Sequence, residues 1–376
     1  MALKILHLID SGGLYGAENM LLDLVREQIK SGLRPLILSV GTPDIVEKPF
    51  ESEARARGLP IEILRMRAGL NIRKGYQIVS YAKKKKYNIL HSHGYKFNIL
   101  IGMIPRFLRG IPIVSTLHGY TQAKGLSLIR VYQYLERLLL KRIDGVIFVC
   151  DKIKESPILL GFKTKNSVTI QNGIDVAIAL KSSSEGAAFL KEAIPFKHDN
   201  SLVIGAIGRL SCEKGFDILI DVFSKIVAEY PDVYLIIIGE GELRPELEKQ
   251  VQVAGLLDRV KLPGFIQHAY KIMAELDGVV IPSLTEGLPI TLLEACVLKK
   301  RIVASDVGGI KETLLGYTDS KVVPPGDRDS LFWAIKNLII NGAGEEVDAH
   351  GWPIEKFNAE LMSKRYSNFY DEVINS

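Results

Sequence analysis

The sequence predicts an α/β chain of two Rossmann-like domains, and three observations carry that reading. An apolar strand at residues 3–9 runs into Asp10-Ser11-Gly12-Gly13-Leu14-Tyr15-Gly16-Ala17-Glu18, then a helix with apolar Met20, Leu21, Leu22, Leu24 and Val25. Strand, glycine turn and helix is the order that opens such a domain. The same order returns at Leu202 to Ile207, followed by the loop Gly208 to Gly215 and a helix from Phe216. Between the two, residues 176–200 lack a stable periodicity and contain Ser182-Ser183-Ser184-Glu185-Gly186, so the 376 residues divide into two bodies, each long enough to bury a core. The expected boundaries are 1–178 for the first domain, 179–200 for a linker, 201–352 for the second domain and 353–376 for a closing helix.

Composition excludes several classes. An apolar fraction of 47% and a charged fraction of 24% are ordinary for a globular chain, and no apolar run approaches a membrane span. Met1 to Gly13 reads as a first strand rather than a secretory signal. Cys150, Cys212 and Cys296 are scattered and odd in number, which fits a reduced cytosolic setting. The net charge of +5 conceals an asymmetry: residues 1–178 hold 27 Lys and Arg against 14 Asp and Glu, a balance of +13, and residues 179–376 hold 21 against 29, a balance of −8. A basic half should face something acidic. Nucleic acid is disfavoured because no zinc ligands, aromatic RNA-binding motif or recognition-helix pattern accompany the cations. An anionic membrane surface or a phosphate-linked lipid acceptor is the better expectation.

In the first half, the glycine turn is only a partial dinucleotide fingerprint. An acid should close the second strand near residue 40 to hold a ribose, but Leu36 to Thr42 ends without one, so dinucleotide binding is disfavoured. A helix around Glu47 to Arg57, a strand Ile61 to Leu64 and a helix ending in Lys83-Lys84-Lys85-Lys86 follow. The lysine run is either a solvated helix end or, with Arg73, Lys74, Tyr81 and Tyr87, a membrane-facing patch. Strands then deliver His91-Ser92-His93 and, after Ile111 to Leu117, His118-Gly119 at carboxyl ends, where open parallel sheets bind ligands. Metal binding by His91, His93 and His118 is disfavoured, since no carboxylate or cysteine joins them at ligand spacing. A basic amphipathic helix, Leu126 to Arg142, a strand Asp144 to Cys150 and Asn172-Gly173-Ile174-Asp175 complete this half.

The second half carries the chemistry. Arg209 and Lys214 flank the loop that opens the helix from Phe216, so recognition of a diphosphate follows from two cations and a helix start. The strand Val260 to Phe265 exits at Ile266, whose backbone can meet a base. In Asp277 to Cys296 a β-branched strand stops at Pro282-Ser283, the loop holds Glu286 and Gly287, and a helix is expected from Pro289. Glu286 and Glu294 would then flank one anion-binding helix start. Carboxylates repel phosphate but accept hydrogen bonds from hydroxyls, and a ligand that is anionic in the middle and hydroxyl-rich at both ends is a nucleotide sugar. Asp327-Arg328-Asp329 opens a helix after Gly326, which assigns Asp327 to capping rather than metal binding.

Glu286-x7-Glu294 enclosing Gly287-Leu288-Pro289, together with Arg209 and Lys214, the VSTLHG strand end, NGID and DVGGIKE, resembles the retaining glycosyltransferases of family 4, which have the GT-B fold: two Rossmann-like domains facing across a cleft. The resemblance implies that Glu286 and His118 reach the donor sugar, Glu294 holds the ribose hydroxyls, Gly287, Leu288 and Pro289 meet the diphosphate or sugar, and Arg209 and Lys214 neutralise the diphosphate. It implies that Gly13 and Gly16 approach the donor phosphate, that His91 and His93 line the acceptor side, and that the closing helix crosses back onto the first domain. No metal and no other cofactor is expected. The donor is expected to be a UDP-sugar, the acceptor a glycan or a lipid-linked glycan, and the location the cytoplasm or the inner face of a membrane. Where the family has Gly-x-Pro after the donor-site helix, this chain has Lys299-Lys300-Arg301, which leaves the helix without a glycine terminator. The rival readings are a binding protein of the same fold that performs no transfer, and a nucleotide-sugar epimerase. A phosphorylase is disfavoured because no lysine sits in a pyridoxal phosphate motif.

Overall fold

The computed structural model describes residues 2–11, 13–67, 69, 71–119, 128–156, 159, 164–180, 184–195, 198, 201–341 and 351–376. The chain divides into one unit formed by Met1–Gly173 with Phe357–Ser376 and a second formed by Ile174–Lys356. Expectations that fell on Gly12, on the start of the helix at Leu126 and on parts of the 179–200 stretch lie outside the described residues.

The first unit is a parallel sheet of β1 (Lys4–Ile9), β2 (Arg34–Gly41), β3 (Ile61–Arg65), β4 (Ile89–Ser92), β5 (Ile113–Leu117), β6 (Gly145–Phe148) and β7 (Ser167–Thr169), in the order β3-β2-β1-β4-β5-β6-β7. Its crossovers carry α1 (Gly16–Lys30), α2 (Pro49–Ala56), α3 (Ile72–Lys84), α4 (Tyr95–Gly102), α5 (Arg106–Arg109) and α6 (Leu128–Leu140). Near-continuous apolar strands such as Ile5-Leu6-His7-Leu8-Ile9 are what a sheet covered on both faces requires. Register then sets the important geometry. His7 pairs with His91 across β1 and β4, and because strand side chains alternate between faces, His7, His91 and His93 point to the same side.

The second unit begins with α7 (Val176–Ala179) and α8 (Ser184–Ala193), then builds a parallel sheet of β8 (Leu202–Ile207), β9 (Val233–Ile238), β10 (Val260–Gly264), β11 (Gly278–Ile281), β12 (Arg301–Ser305) and β13 (Ser320–Val323), ordered β10-β9-β8-β11-β12-β13. Its helices are α9 (Phe216–Glu229), α10 (Arg244–Val253), α11 (Tyr270–Met273), α12 (Ile290–Val297), α13 (Ile310–Thr313) and α14 (Arg328–Asn341). One buried cluster, with Phe216, Leu219 and Phe223 of α9, Leu235 and Ile237 of β9, and Leu331 and Ile335 of α14, joins those two helices to one sheet face. The chain then returns to the first unit as α15 (Ala359–Asn375), which packs beside α1 and buries Tyr366, Phe369 and Tyr370.

Two local expectations change. The stretch 176–200, read as lacking regular structure, contains α7 and α8; α8 lies so close to α11 that a Cβ on Gly186 would stand 2.2 Å from the Lys271 carbonyl oxygen, and Lys271 pairs with Glu185 at 2.7 Å. Composition spoke for a linker, and close packing overrode it. The missing glycine after α12 is replaced by Lys299, which takes the left-handed conformation itself (φ +52°), while the Lys300 N–H donates to the Ala295 carbonyl at 2.9 Å and its ammonium donates to the Ala274 and Leu276 carbonyls. Asp327 caps as expected: its Oδ1 accepts from the Asp329 and Ser330 N–H groups, both at 3.1 Å.

Candidate active site

Strand order in the second sheet reverses between β8 and β11, so the loops leaving these adjacent strands send their helices to opposite faces and open a crevice at the carboxyl edge. Backbone contacts lock the two loops together. Gly215 follows a single helical turn, Cys212–Lys214, with φ +65°, and a Cβ there would lie 2.4 Å from the Pro282 carbonyl oxygen; a larger residue cannot occupy it. The Leu284 N–H donates to the Glu213 carbonyl at 2.8 Å.

This lock brings two residues 72 positions apart into one ion pair. Lys214 Nζ stands 2.5 Å from Glu286 Oε1, and Ser283 Oγ donates to the same oxygen at 2.8 Å. The side chains are 21% and 11% exposed, so both charges reach the crevice while remaining partly screened from water. Arg209 is more open, 51% exposed, and its Nη2 donates to Glu213 Oε1 at 2.9 Å. Burial alone would push the Glu213 carboxyl up, but hydrogen bonds from Ser211 and its own backbone, with the Arg209 charge, hold it below the usual carboxylate range. The far side of the loop is fixed by β12's exit: the Gly309 N–H donates to the Gly287 carbonyl at 2.7 Å, and Gly308, at φ +53°, leaves only 2.2 Å from an added Cβ to that oxygen.

Of the residues singled out in the sequence, Arg209, Lys214, Ile266, Glu286, Gly287, Leu288, Pro289 and Glu294 belong to the second unit, and Gly13, Gly16 and His118 to the first. Lys214, Glu286 and Gly287 are joined through the contacts above. Pro289 is the cap residue just before α12 rather than its first residue, Leu288 is buried beside it, and Glu294 lies in the middle of that helix, partly exposed. Ile266, two residues beyond β10, shares the carboxyl edge two strands from β8. Gly13 accepts from and donates to Ser11 just beyond the end of β1, and Gly16 is the first residue of α1. Sequence reasoning missed Ser283, whose only signal was its place between the strand and Glu286.

In the first unit, His118 leaves β5 toward His93, with His93 Nδ1 and His118 Nε2 3.4 Å apart. His93 Nε2 meets His7 Nδ1 at 3.0 Å, and His7 Nε2 meets Gln28 Oε1 at 2.9 Å. His91 is fully buried, its Nδ1 2.6 Å from the Tyr370 hydroxyl and its Nε2 2.8 Å from Thr116 Oγ1. The expectation that His91 lines an acceptor surface is therefore corrected, because α15 covers it. Burial pushes the His7 and His118 imidazoles down to about 4 and those of His91 and His93 well below their ordinary value, so all four are neutral near pH 7. Among the described residues the histidines whose ring nitrogens converge, within 4.8 Å of one another, are His7, His91 and His93, not the set of His91, His93 and His118 that the sequence offered and its spacing disfavoured as metal ligands.

Comparison with known proteins places this geometry. Residues 15–178 match the family described as Glycosyltransferase Family 4, and residues 201–341 match Glycosyl transferases group 1. The UDP-Gal:alpha-D-GlcNAc-diphosphoundecaprenol alpha-1,3-galactosyltransferase of Escherichia coli is 32% identical over 263 residues, 67% of this chain and 66% of that protein. The alpha-D-kanosaminyltransferase of Streptomyces kanamyceticus is 28% identical over 46% of this chain and 47% of that protein, so the matches span about two thirds and about half of these relatives. The crystal structure of Anabaena HepE in complex with UDP superimposes with a TM-score of 0.80 at 23% identity, covering 98% of this chain and 100% of that one. Both halves of the chain thus find the same kind of relative, and the chain belongs to the family 4 glycosyltransferases, with the Rossmann-like units of the GT-B fold.

Proposed function

We propose that the protein transfers a sugar from a nucleotide-sugar donor to a glycan or lipid-linked acceptor, with retention of anomeric configuration. The observation that carries the proposal is the Lys214–Glu286 pair at the crevice edge, 2.5 Å apart and hydrogen-bonded to Ser283. Breaking the bond between sugar and diphosphate builds negative charge on the leaving group. Lys214, Arg209 and the amino end of α12 stabilise that charge without a metal, and Glu286 accepts hydrogen bonds from the sugar hydroxyls. A UDP-sugar is the proposed donor, supported by the UDP-Gal named for the E. coli relative and the UDP held by HepE.

A lipid-linked acceptor is supported by that relative's diphosphoundecaprenol substrate and by the surface of the first unit. Helix α4 packs against both α3 and α6, which puts those two helices on one face. There Tyr76 on α3, Phe107 and Leu108 on α5, and Val131, Tyr134 and Leu138 on α6 are exposed, next to exposed Lys83 to Lys86, Lys141 and Arg142. Apolar side chains rimmed by cations suit an anionic bilayer surface, and this face is proposed to rest on the inner leaflet. No helix among the described residues is long and apolar enough to cross a membrane.

The test of transfer is thermal stabilisation across UDP-, GDP- and ADP-sugars, followed by mass spectrometry for donor consumption with a polyprenyl-diphosphate-linked sugar as acceptor. Stabilisation by UDP-sugars with release of UDP is the expected result. Stabilisation without consumption of donor would sink the transfer reading in favour of binding alone.

A further inference from the structure

The two sheets share one strand order. In each unit the first strand lies between the second and the fourth, so the order reverses once, between β8 and β11 in the second unit and between β1 and β4 in the first. Open parallel sheets bind ligands at that point of their carboxyl edge. In the second unit the loops leaving it bring a lysine and a carboxylate together, Lys214 and Glu286. The first unit does the same with the roles exchanged. Asp10 directly follows β1, Lys96 is the second residue of α4 after β4, and the Lys96 ammonium donates to Asp10 Oδ2. Lys48, which precedes α2, donates to Asp10 Oδ1 at 3.1 Å.

Exposure sorts these groups. Lys48 is buried and already donates to Asp10 and to the Val40 carbonyl, whereas the side chains of Asp10 and Lys96 are 25% and 16% exposed and can meet a ligand. Tyr95, the first residue of α4, is exposed, and its ring centroid lies 6.0 Å from that of Tyr132 on α6. Burial, and after it the charge of Asp10, pushes the Tyr95 hydroxyl above its ordinary value, so it is a neutral donor near pH 7.

We infer that Asp10, Lys96 and Tyr95 form a ligand site of the first unit that takes a pyranose ring of the acceptor. Asp10 accepts from sugar hydroxyls, Lys96 and the Tyr95 hydroxyl donate to others, and the Tyr95 ring covers the apolar face of the sugar. Lys48 is a positioning residue, since it fixes the carboxylate from behind. That the sugar belongs to an acceptor rests on the transfer reading; that the site holds a pyranose does not. A phosphate is the rival ligand. The polyol is favoured because the lysine behind Asp10 is buried, which leaves a carboxylate, one ammonium and one phenol at the surface, and a carboxylate repels phosphate.

The experiment is saturation-transfer NMR on the full chain with methyl pyranosides of hexoses and N-acetylhexosamines at millimolar concentration, repeated with UDP and with inorganic phosphate. At least one pyranoside should bind and remain bound in both. Tyr95→Ala and Lys96→Met, two substitutions at the surface, should each weaken that binding about tenfold with the melting temperature unchanged, the size of about one hydrogen bond. In the transfer assay they should raise KM for the acceptor by a similar factor and leave KM for the donor as it was. No pyranoside binding, displacement by UDP or by phosphate, or native affinity in both variants would each overturn the site, the last because it would reduce the Asp10–Lys96 pair to a structural tie between β1 and α4. The pyranoside titrations judge this site without a nucleotide sugar, and the thermal panel judges the donor reading by itself, so either can fail alone.

Discussion

Lowering the pH should unfold the first unit before the second, and His7 gives the size of the effect. It is fully buried with no charged partner among the described residues, and burial pushes its imidazole down to about 4, whereas in an unfolded chain it titrates near 6.5. Above pH 6.5 the group is neutral in both states and contributes nothing. Below it the unfolded chain takes up a proton that the folded chain refuses, so stability falls as pH drops from about 6.5 toward about 4. At pH 5 that difference amounts to about 2 kcal/mol for His7 alone. His91, His93 and His118 act in the same direction, and the groups packed around them, Gln28, Thr116, Tyr366 and Tyr370, carry no charge to offset it. The assay is urea denaturation at about pH 7.5 and pH 5, followed by circular dichroism. Fluorescence is the internal control, because both tryptophans, Trp333 and Trp352, belong to the second unit. The native chain should lose about 2 kcal/mol more than His7→Phe between the two pH values, in the transition that fluorescence does not report. Equal losses in the two proteins, or a native chain more stable at pH 5, would refute the reasoning, since either would mean that His7 is charged or solvated in the fold.

Other perturbations address the proposed donor site and its support. Lys214→Ala and Glu286→Ala should each lower turnover about a hundredfold with circular dichroism unchanged, and near-native rates in both would remove the proposed mechanism. Gly308→Ala places a Cβ 2.2 Å from the Gly287 carbonyl at φ +53°; it should weaken nucleotide-sugar binding in calorimetry more than it lowers the melting temperature, and a native dissociation constant would show that the Glu286 loop is not held as described. Tyr370→Phe leaves His91 Nδ1 without its 2.6 Å partner and should cost about 1–3 kcal/mol in the circular-dichroism transition. Leu138→Ser with Tyr134→Ser should reduce co-sedimentation with phosphatidylglycerol vesicles, and indifference to vesicle charge in the native chain would argue against the membrane face.

The two loops of the candidate site were legible in sequence as loops because their local structure is set by near neighbours. A strand, a glycine and a helix start identify Gly208 to Gly215 and Pro282 to Pro289 without knowledge of their neighbours. That Lys214 should pair with Glu286 was not legible, since nothing in a list of residues says that β8 and β11 are adjacent; parallel strands are paired by crossovers of many residues. The same limit hid the hydrogen-bonded histidine cluster. His91, His93 and His118 drew attention at strand ends, but His7 sits inside an ordinary apolar strand and Gln28 on a helix face, where neither carries a signal of its own.

The α8 helix shows the opposite failure, in which serine and glycine composition argued for an irregular stretch and contact with α11 decided otherwise. What the amino-acid order determined by itself was the alternation of strands and helices, the two-domain plan and the loops that carry Lys214 and Glu286, because those depend on period and near-neighbour stereochemistry. What only the tertiary structure decided was which of those groups share an atom-to-atom contact, the hydrogen-bonded run of imidazoles and the burial that keeps them neutral, because each depends on removing water from residues that the chain holds far apart.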